Sequence, residues 1–291
     1  TFESISVVLY DQSFSKDDAI GVFTGAALFI GEVGRTDFFP DQAQEVAGML
    51  YDSIHEKILS LGDQCLVYPA HGAGSVCGSG MASREFSTLG YERRHNPALQ
   101  RNREDFIKHK TTEHHYQPPY FRKMEELNQK GNVEILCHLP EPNPLTPKQF
   151  AQAMDSKLQV LDLRSPEALS GAAIPGSLGM PLGMVPAFAG YFLSYGTPIG
   201  LVAENIREVQ TAVRHLLRLG YDNISCYLSG GLHTWETSGK PYQRIPAVHA
   251  DELTEMINAK ENFTLLDVRS IDEFQSGHLP GAKHIYVGEL P

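Results

Sequence analysis

A histidine and a cysteine share one glycine-rich stretch of this chain, Tyr68-Pro69-Ala70-His71-Gly72-Ala73-Gly74-Ser75-Val76-Cys77-Gly78. An imidazole can ligate a metal or move a proton near neutral pH. A thiol on a loop surrounded by backbone N–H groups can be held as the nucleophilic thiolate. Cys77 therefore has two readings, a thiol on the substrate side of a site or a structural residue of its loop. Arg35 and Asp37 stand two residues apart. Such a pair can form an ion pair at a sheet edge. Asp162 with Arg164, and Asp267 with Arg269, read as structural ion pairs at strand ends. His109, His114 and His115 read as a solvated loop, because a metal site would need further ligands in defined geometry. Cys65 and Cys226 fall in strand patterns and read as core, whereas Cys137 carries no visible chemistry. The four cysteines form no CxxC, which indicates reduced thiols in a cytoplasmic protein rather than a disulfide framework.

These residues need elements to hold them. Ile5–Tyr10 and Ile20–Thr24 read as strands. Asp41 can cap a helix with apolar positions Val46, Met49, Leu50, Ile54 and Ile58. Cys65–Tyr68 is a short strand running into the His71 loop, and Arg84–Phe106 is expected to be helical with a break near Pro97. Pro140, Pro142, Pro144 and Pro147 mark a semi-rigid linker over 134–146. The chain has 291 residues, which suggests about two domains. Apolar residues are 42% and charged residues 20%, so disordered, collagen-like and coiled-coil classes are excluded. The formal net charge of −11 argues against non-specific binding to nucleic acid or to anionic membranes. Ala168–Ala203 holds no charged residue, yet its prolines and glycines rule out a membrane helix, and it reads as a loop packed against protein.

An internal repeat organises the second half. Leu161-Asp162-Leu163-Arg164-Ser165 recurs as Leu266-Asp267-Val268-Arg269-Ser270, and Ile174-Pro175-Gly176 as Leu279-Pro280-Gly281, both 105 residues on. A short amphipathic helix precedes each copy, at Pro147–Ala153 and Asp251–Ala259. The first copy continues as strand Ile199–Ala203, helix Glu208–Leu219, strand Ile224–Leu228 and Gly230-Gly231-Leu232-His233-Thr234-Trp235. Alternating strands and helices imply a parallel sheet.

The spaced motifs of this repeat resemble the rhodanese family, over about 147–244 and again over 245–291, where only the N-terminal part of a second domain is expected. Rhodaneses carry sulfane sulfur on a Cys in a strand-to-helix loop, with an Arg five positions later. In Leu201-Val202-Ala203-Glu204-Asn205-Ile206-Arg207-Glu208, Ala203 stands at the Cys position and Glu208 at the Arg position. The first copy is therefore expected to lack sulfurtransferase chemistry and to serve in packing.

Over 1–133, Phe23-Thr24-Gly25-Ala26-Ala27-Leu28-Phe29-Ile30-Gly31-Glu32-Val33-Gly34-Arg35-Thr36-Asp37-Phe38 and the His71 stretch are similar to motifs of the metallo-β-lactamase fold. The nearest branch is that of glyoxalase II and of persulfide dioxygenase–rhodanese fusions, and Asn96-Pro97-Ala98-Leu99 and Pro118-Pro119-Tyr120-Phe121 also fit it. The expected fold is α/β: the C-terminal part of a metallo-β-lactamase αββα sandwich, followed by rhodanese-like parallel-sheet domains. The resemblance implies Fe(II), with zinc as an alternative metal. Its H-x-H-x-D-H ligand motif is expected upstream of Thr1, and Ala26 stands at the carboxylate ligand. His71 is then a weak metal candidate, while Arg35, Asp37 and Cys77 are the catalytic candidates.

The implied function is sulfide detoxification: a low-molecular-weight thiol persulfide of the glutathione kind is oxidised to sulfite at non-haem iron, coupled to rhodanese sulfur transfer. A metal-dependent thioester hydrolase of the glyoxalase II kind is a second reading. A non-catalytic member, marked by Ala26 and Ala203, is a third. The expected partners are the persulfide and a second copy of the chain in a homodimer, with no nucleic acid and no membrane.

Overall fold

The computed structural model describes residues 4–73, 75, 78, 80–131 and 135–290, and Cys77 lies outside them. The chain divides into two compact units, Thr1–His115 and Tyr116–Pro291.

The first unit carries a four-stranded mixed sheet in the order β1 (Val7–Tyr10), β2 (Ala19–Gly25), β3 (Leu66–Pro69), β4 (Ser87–Thr88). The β2–β3 pair is parallel and the two outer pairs are antiparallel. Alternation of side chains along a strand sends Val22 and Val67 into the core, where they meet Leu50, Ile54, Leu89 and Phe106. Those partners come from α1 (Ala43–Asp52) and the wide turn after it, from α2 (Leu89–His95) and from α3 (Arg103–Thr112). Asp41 does not cap α1: it lies within a 3-10 turn, Pro40–Gln42, opened by a proline that fits a first-turn position. Of the expected apolar stripe, Val46, Leu50, Ile54 and Ile58 are buried and Met49 is exposed. The stretch expected to be helical from Arg84 to Phe106 with a break near Pro97 begins with β4 rather than helix, and then holds α2 and the start of α3 with the break at 96–102; the Asn102 side chain accepts from the Asp105 N–H as the N-cap of α3.

The second unit opens with α4 (Tyr120–Lys130) and holds a five-stranded sheet in the order β5 (Asn143–Leu145), β9 (Ile224–Leu228), β8 (Ile199–Val202), β6 (Gln159–Asp162), β7 (Leu178–Gly179). Every pair in it is parallel. The helices α5 (Pro147–Met154), α6 (Pro166–Gly171), α7 (Val185–Phe192), α8 (Ile206–Arg218) and α9 (Gly231–Thr237) alternate with the strands. One cluster takes Val185 and Ala189 from α7 and Val209, Ala212 and Leu216 from α8. A separate cluster takes Phe150 from α5 and Trp235 from α9. With two apolar layers to contact, β8 is buried along its whole length. The proline-rich stretch thus contributes an edge strand: Pro144 pairs beside Tyr227 at the rim of the sheet, where a missing N–H is tolerated. The uncharged stretch expected to be a packed loop is instead built of α6, β7, α7 and β8. No helix among the described residues is long and apolar enough to cross a membrane.

The second copy of the repeat comprises α10 (Ala250–Asn258), β10 (Leu266–Asp267), α11 (Ile271–Ser276) and β11 (Lys283–His284), with β10 and β11 parallel.

Candidate functional site

Because β2 and β3 are parallel neighbours, their C-terminal ends meet, and the residues that follow them share one edge of the sheet. The Ala70 N–H donates to the Gly25 carbonyl at 3.0 Å, locking the two exits together. Ala26 and His71 follow these exits directly. Gly25 turns the chain with φ +57°, a conformation that costs a side-chain-bearing residue energy. A hairpin comes next, closed by the Leu28–Val33 bridge and by the Phe29 N–H donating to the Glu32 carbonyl at 2.9 Å. Thr24 Oγ1 donates to the Leu28 carbonyl at 2.6 Å. The buried Phe29 ring meets the His71 imidazole edge-on, with centroids 5.5 Å apart. A Cβ on Gly34 would overlap the Ala26 carbonyl oxygen, so this motif glycine lets the two backbones approach.

Arg35 and Asp37 come together as an ion pair. Nε donates to Oδ1 at 2.9 Å and Nη2 to Oδ2 at 2.6 Å. The Arg35 side chain is buried, and its guanidinium lies 5.2 Å from the Phe38 ring centroid. This bidentate geometry fixes the guanidinium plane. A cavity of about 240 Å³ opens beside Ala26, with Val8, Val22, Leu50, Ser53 and Lys57 among its lining residues. His71, Arg35 and Asp37 are not among its lining residues, so the cavity does not gather the candidate groups.

The metal expected from the resemblance can be tested against these residues. At the two strand ends the chain presents one imidazole and one methyl group. Among the described residues no three His, Cys, Asp or Glu side chains are grouped to hold a metal ion. A two-His, one-carboxylate iron site needs more than this. The residues present do not fit it.

Two of the three histidines near the end of the first unit, His109 on α3 and His115, are gathered on one carboxylate, whereas His114 is exposed as expected. Glu113 accepts from Lys110 Nζ at 2.6 Å and pairs with His115 Nε2 at 2.8 Å and His109 Nε2 at 3.3 Å. The Lys110 side chain is only 2% exposed. Burial pushes the Glu113 carboxyl up, but its bonds to His115 and Lys110 outweigh that and hold it below the ordinary value. Buried charge of this kind persists only when paired.

In the second unit, the loop after β8 places Ala203 at the start and Glu208 in the first turn of α8. Glu208 bends back: its carboxylate accepts from the Glu204 N–H and from Asn205 Nδ2, both at 2.9 Å. Asn205 Oδ1 takes the N–H groups of Arg207 and Glu208 at 3.0 and 3.1 Å. Three backbone donors of this loop and first turn, the N–H groups of Glu204, Arg207 and Glu208, are thus taken by the chain's own side chains. Burial pushes both the Cys65 and Cys226 thiols up, which suits core residues rather than nucleophiles. Asp162 and Arg164 form the expected ion pair, with Nη2 also donating to the Ala172 carbonyl at 2.7 Å. Asp267 and Arg269 repeat it, with the Gly277 carbonyl in place of Ala172 at 2.9 Å.

One residue was missed by the sequence reading. Glu92 is 1% exposed, and it shares a helix face with the buried Leu89 and Asn96. An acid at apolar helical spacing was the available signal.

Residues 146–238 and 249–291 match the rhodanese-like domain. The chain is 41% identical over 104 residues to "Persulfide dioxygenase ETHE1, mitochondrial" of Mus musculus, a match covering 36% of this chain and 34% of that protein. It is 38% identical over 77 residues to "Hydroxyacylglutathione hydrolase GloC" of Haemophilus influenzae, covering 26% of this chain and 29% of that protein. The chain therefore spans about a third of the length of the curated relatives it matches. A metallo-beta-lactamase crystal structure from Staphylococcus aureus superposes with a TM-score of 0.64 at 30% identity, covering 78% of this chain and 63% of that one.

Proposed function

From the premise that this chain is a metallo-β-lactamase–rhodanese fusion, we propose that it works in sulfur metabolism and handles low-molecular-weight thiol persulfides of the glutathione kind. The observation that carries this reading is the junction itself: similarity to a persulfide dioxygenase lies in one chain with rhodanese-like sequence. In the whole protein the reaction is oxidation of the persulfide's outer sulfur: persulfide, O2 and water give thiol and sulfite. The family resemblance implies iron for that step, and the described residues of this chain do not supply its ligands. What this chain supplies is the scaffold of the site edge. The Arg35–Asp37 pair holds one buried cation in a fixed plane, and His71 stands at the end of β3. Cys77 is proposed as a thiol on the substrate side. The first rhodanese-like copy, with Ala203 in place of a thiol and the Glu208 carboxylate bonded within its own loop, carries no sulfur and serves a structural role. A second copy of the chain and a cytoplasmic setting complete the proposal.

The test is O2 uptake by the full-length protein given iron and glutathione persulfide, with sulfite measured alongside. Sulfite formed in step with O2 consumption is the expected result. Hydrolysis of a glutathione thioester without O2 uptake would instead support the hydrolase reading, which the similarity to a hydroxyacylglutathione hydrolase favours. Absence of either turnover, with iron retained only by an Ala26→Asp variant, would overturn both and leave a non-catalytic binder.

A further inference from the structure

The buried carboxylate of Glu92 lies in the middle of the seven-residue helix α2, and a charge in that position calls for an explanation. One oxygen accepts the Gly31 N–H at 2.8 Å and Asn96 Nδ2 at 3.1 Å. The other has no hydrogen-bond partner among the described residues, and Arg84 Nη2 stands 3.5 Å from it. Arg84 is in turn laid over the Tyr91 ring, 4.3 Å from its centroid. Asn96 Nδ2 also donates to the Glu32 carbonyl at 3.2 Å. Both contacts therefore converge on the tip of the Leu28–Val33 hairpin, more than sixty residues away in sequence. That tip needs the hold. Gly31 takes φ +80°, and it lies so close to the Gly80 carbonyl that an added Cβ would sit 3.3 Å from it. The Ala82 N–H donates to the Ile30 carbonyl at 2.9 Å, which ties the stretch following the His71 loop to the same tip. At the base of the hairpin, Phe29 packs its ring against the His71 imidazole.

We infer that Glu92 is a positioning residue for His71. Its carboxylate fixes the hairpin tip through Gly31, the hairpin fixes the Phe29 ring, and the ring sets the orientation of the imidazole at the end of β3. The role is acceptance of a hydrogen bond, so an amide oxygen can fill it and a methyl group cannot. The inference rests on reading His71 as a site residue, but its test does not depend on turnover.

The experiment records the ring carbon–proton signals of His71 by NMR in the full chain with labelled histidine, assigned by a His71→Gln variant. Glu92→Ala is expected to displace the His71 signals, and Glu92→Gln to leave them near their original positions. Arg103→Ala, in the same unit but bonded to Asp52, is expected to leave them unmoved. If Glu92→Ala does not fold, Asn96→Ala, which removes the second tie to the tip, is expected to give the same displacement. His71 signals that stay in place in a folded Glu92→Ala or Asn96→Ala protein would overturn the inference. So would an equal displacement in Glu92→Gln. Unchanged turnover with displaced signals would count against His71 as a site residue and leave the positioning itself intact.

Discussion

Arg164→Ala should unfold the first rhodanese-like copy far more readily than Arg269→Ala unfolds anything, although the two arginines make the same bonds. Arg164 donates to Asp162 at 2.9 and 2.6 Å and to the Ala172 carbonyl at 2.7 Å. Asp162 is 0% and Arg164 5% exposed. Removing the guanidinium leaves a buried carboxylate and a carbonyl without their partner. Breaking a buried pair in this way costs about 3–5 kcal/mol. With a urea m-value near 2 kcal/mol/M, the midpoint should fall by roughly 1.5–2.5 M. Arg269 bonds Asp267 and the Gly277 carbonyl at 2.6–3.0 Å, but its side chain is 45% exposed. Water takes over those groups when the arginine is lost. The assay is the fluorescence of Trp235, the single tryptophan of the chain, which is buried in the same cluster as Ala172. It reports the first copy alone. The reasoning is refuted if Arg164→Ala moves the Trp235 midpoint by less than ~0.5 M, or if Arg269→Ala moves it as far.

Other outcomes follow from the same geometry. Its bonds with Arg269 hold the Asp267 carboxyl down at about 2. A group depressed in the folded state stabilises above its unfolded value and loses that contribution as pH falls through the folded one. An NMR titration of Asp267 should therefore show its midpoint near 2 rather than near 4. Gly34→Ala should destabilise the first unit, because the added Cβ overlaps the Ala26 carbonyl and backbone must move. A thermal melt that leaves the first unit's transition unchanged would contradict this. Ala203→Cys alone should give no thiosulfate sulfurtransferase activity, since Glu208 still holds the Glu204 N–H and Asn205 Nδ2. Cyanide-dependent thiocyanate formation by the single variant would show that the loop donors are free.

What the sequence determined by itself was local or repetitive. The Asp-x-Arg pairs were legible because two residues on one strand end reach each other whatever the rest of the chain does, and the repeat 105 residues on doubled the signal. The missing thiol at Ala203 needed no coordinates, since no fold can restore a nucleophile that is not encoded. Most strands followed from alternation, which is a property of successive residues. Tertiary structure decided what depends on distant partners. Prolines at 140–147 read as a linker, yet a parallel neighbour made Asn143–Leu145 an edge strand, the one place in a sheet that tolerates Pro144. His109 and His115 read as parts of a solvated loop until the packing of α3 buried Lys110 and gathered them on Glu113. Beyond its helical spacing from Leu89, nothing in the sequence set Glu92 apart. It became a buried anchor because the Gly31 N–H, with no partner inside its own tight hairpin, found an acceptor on another element.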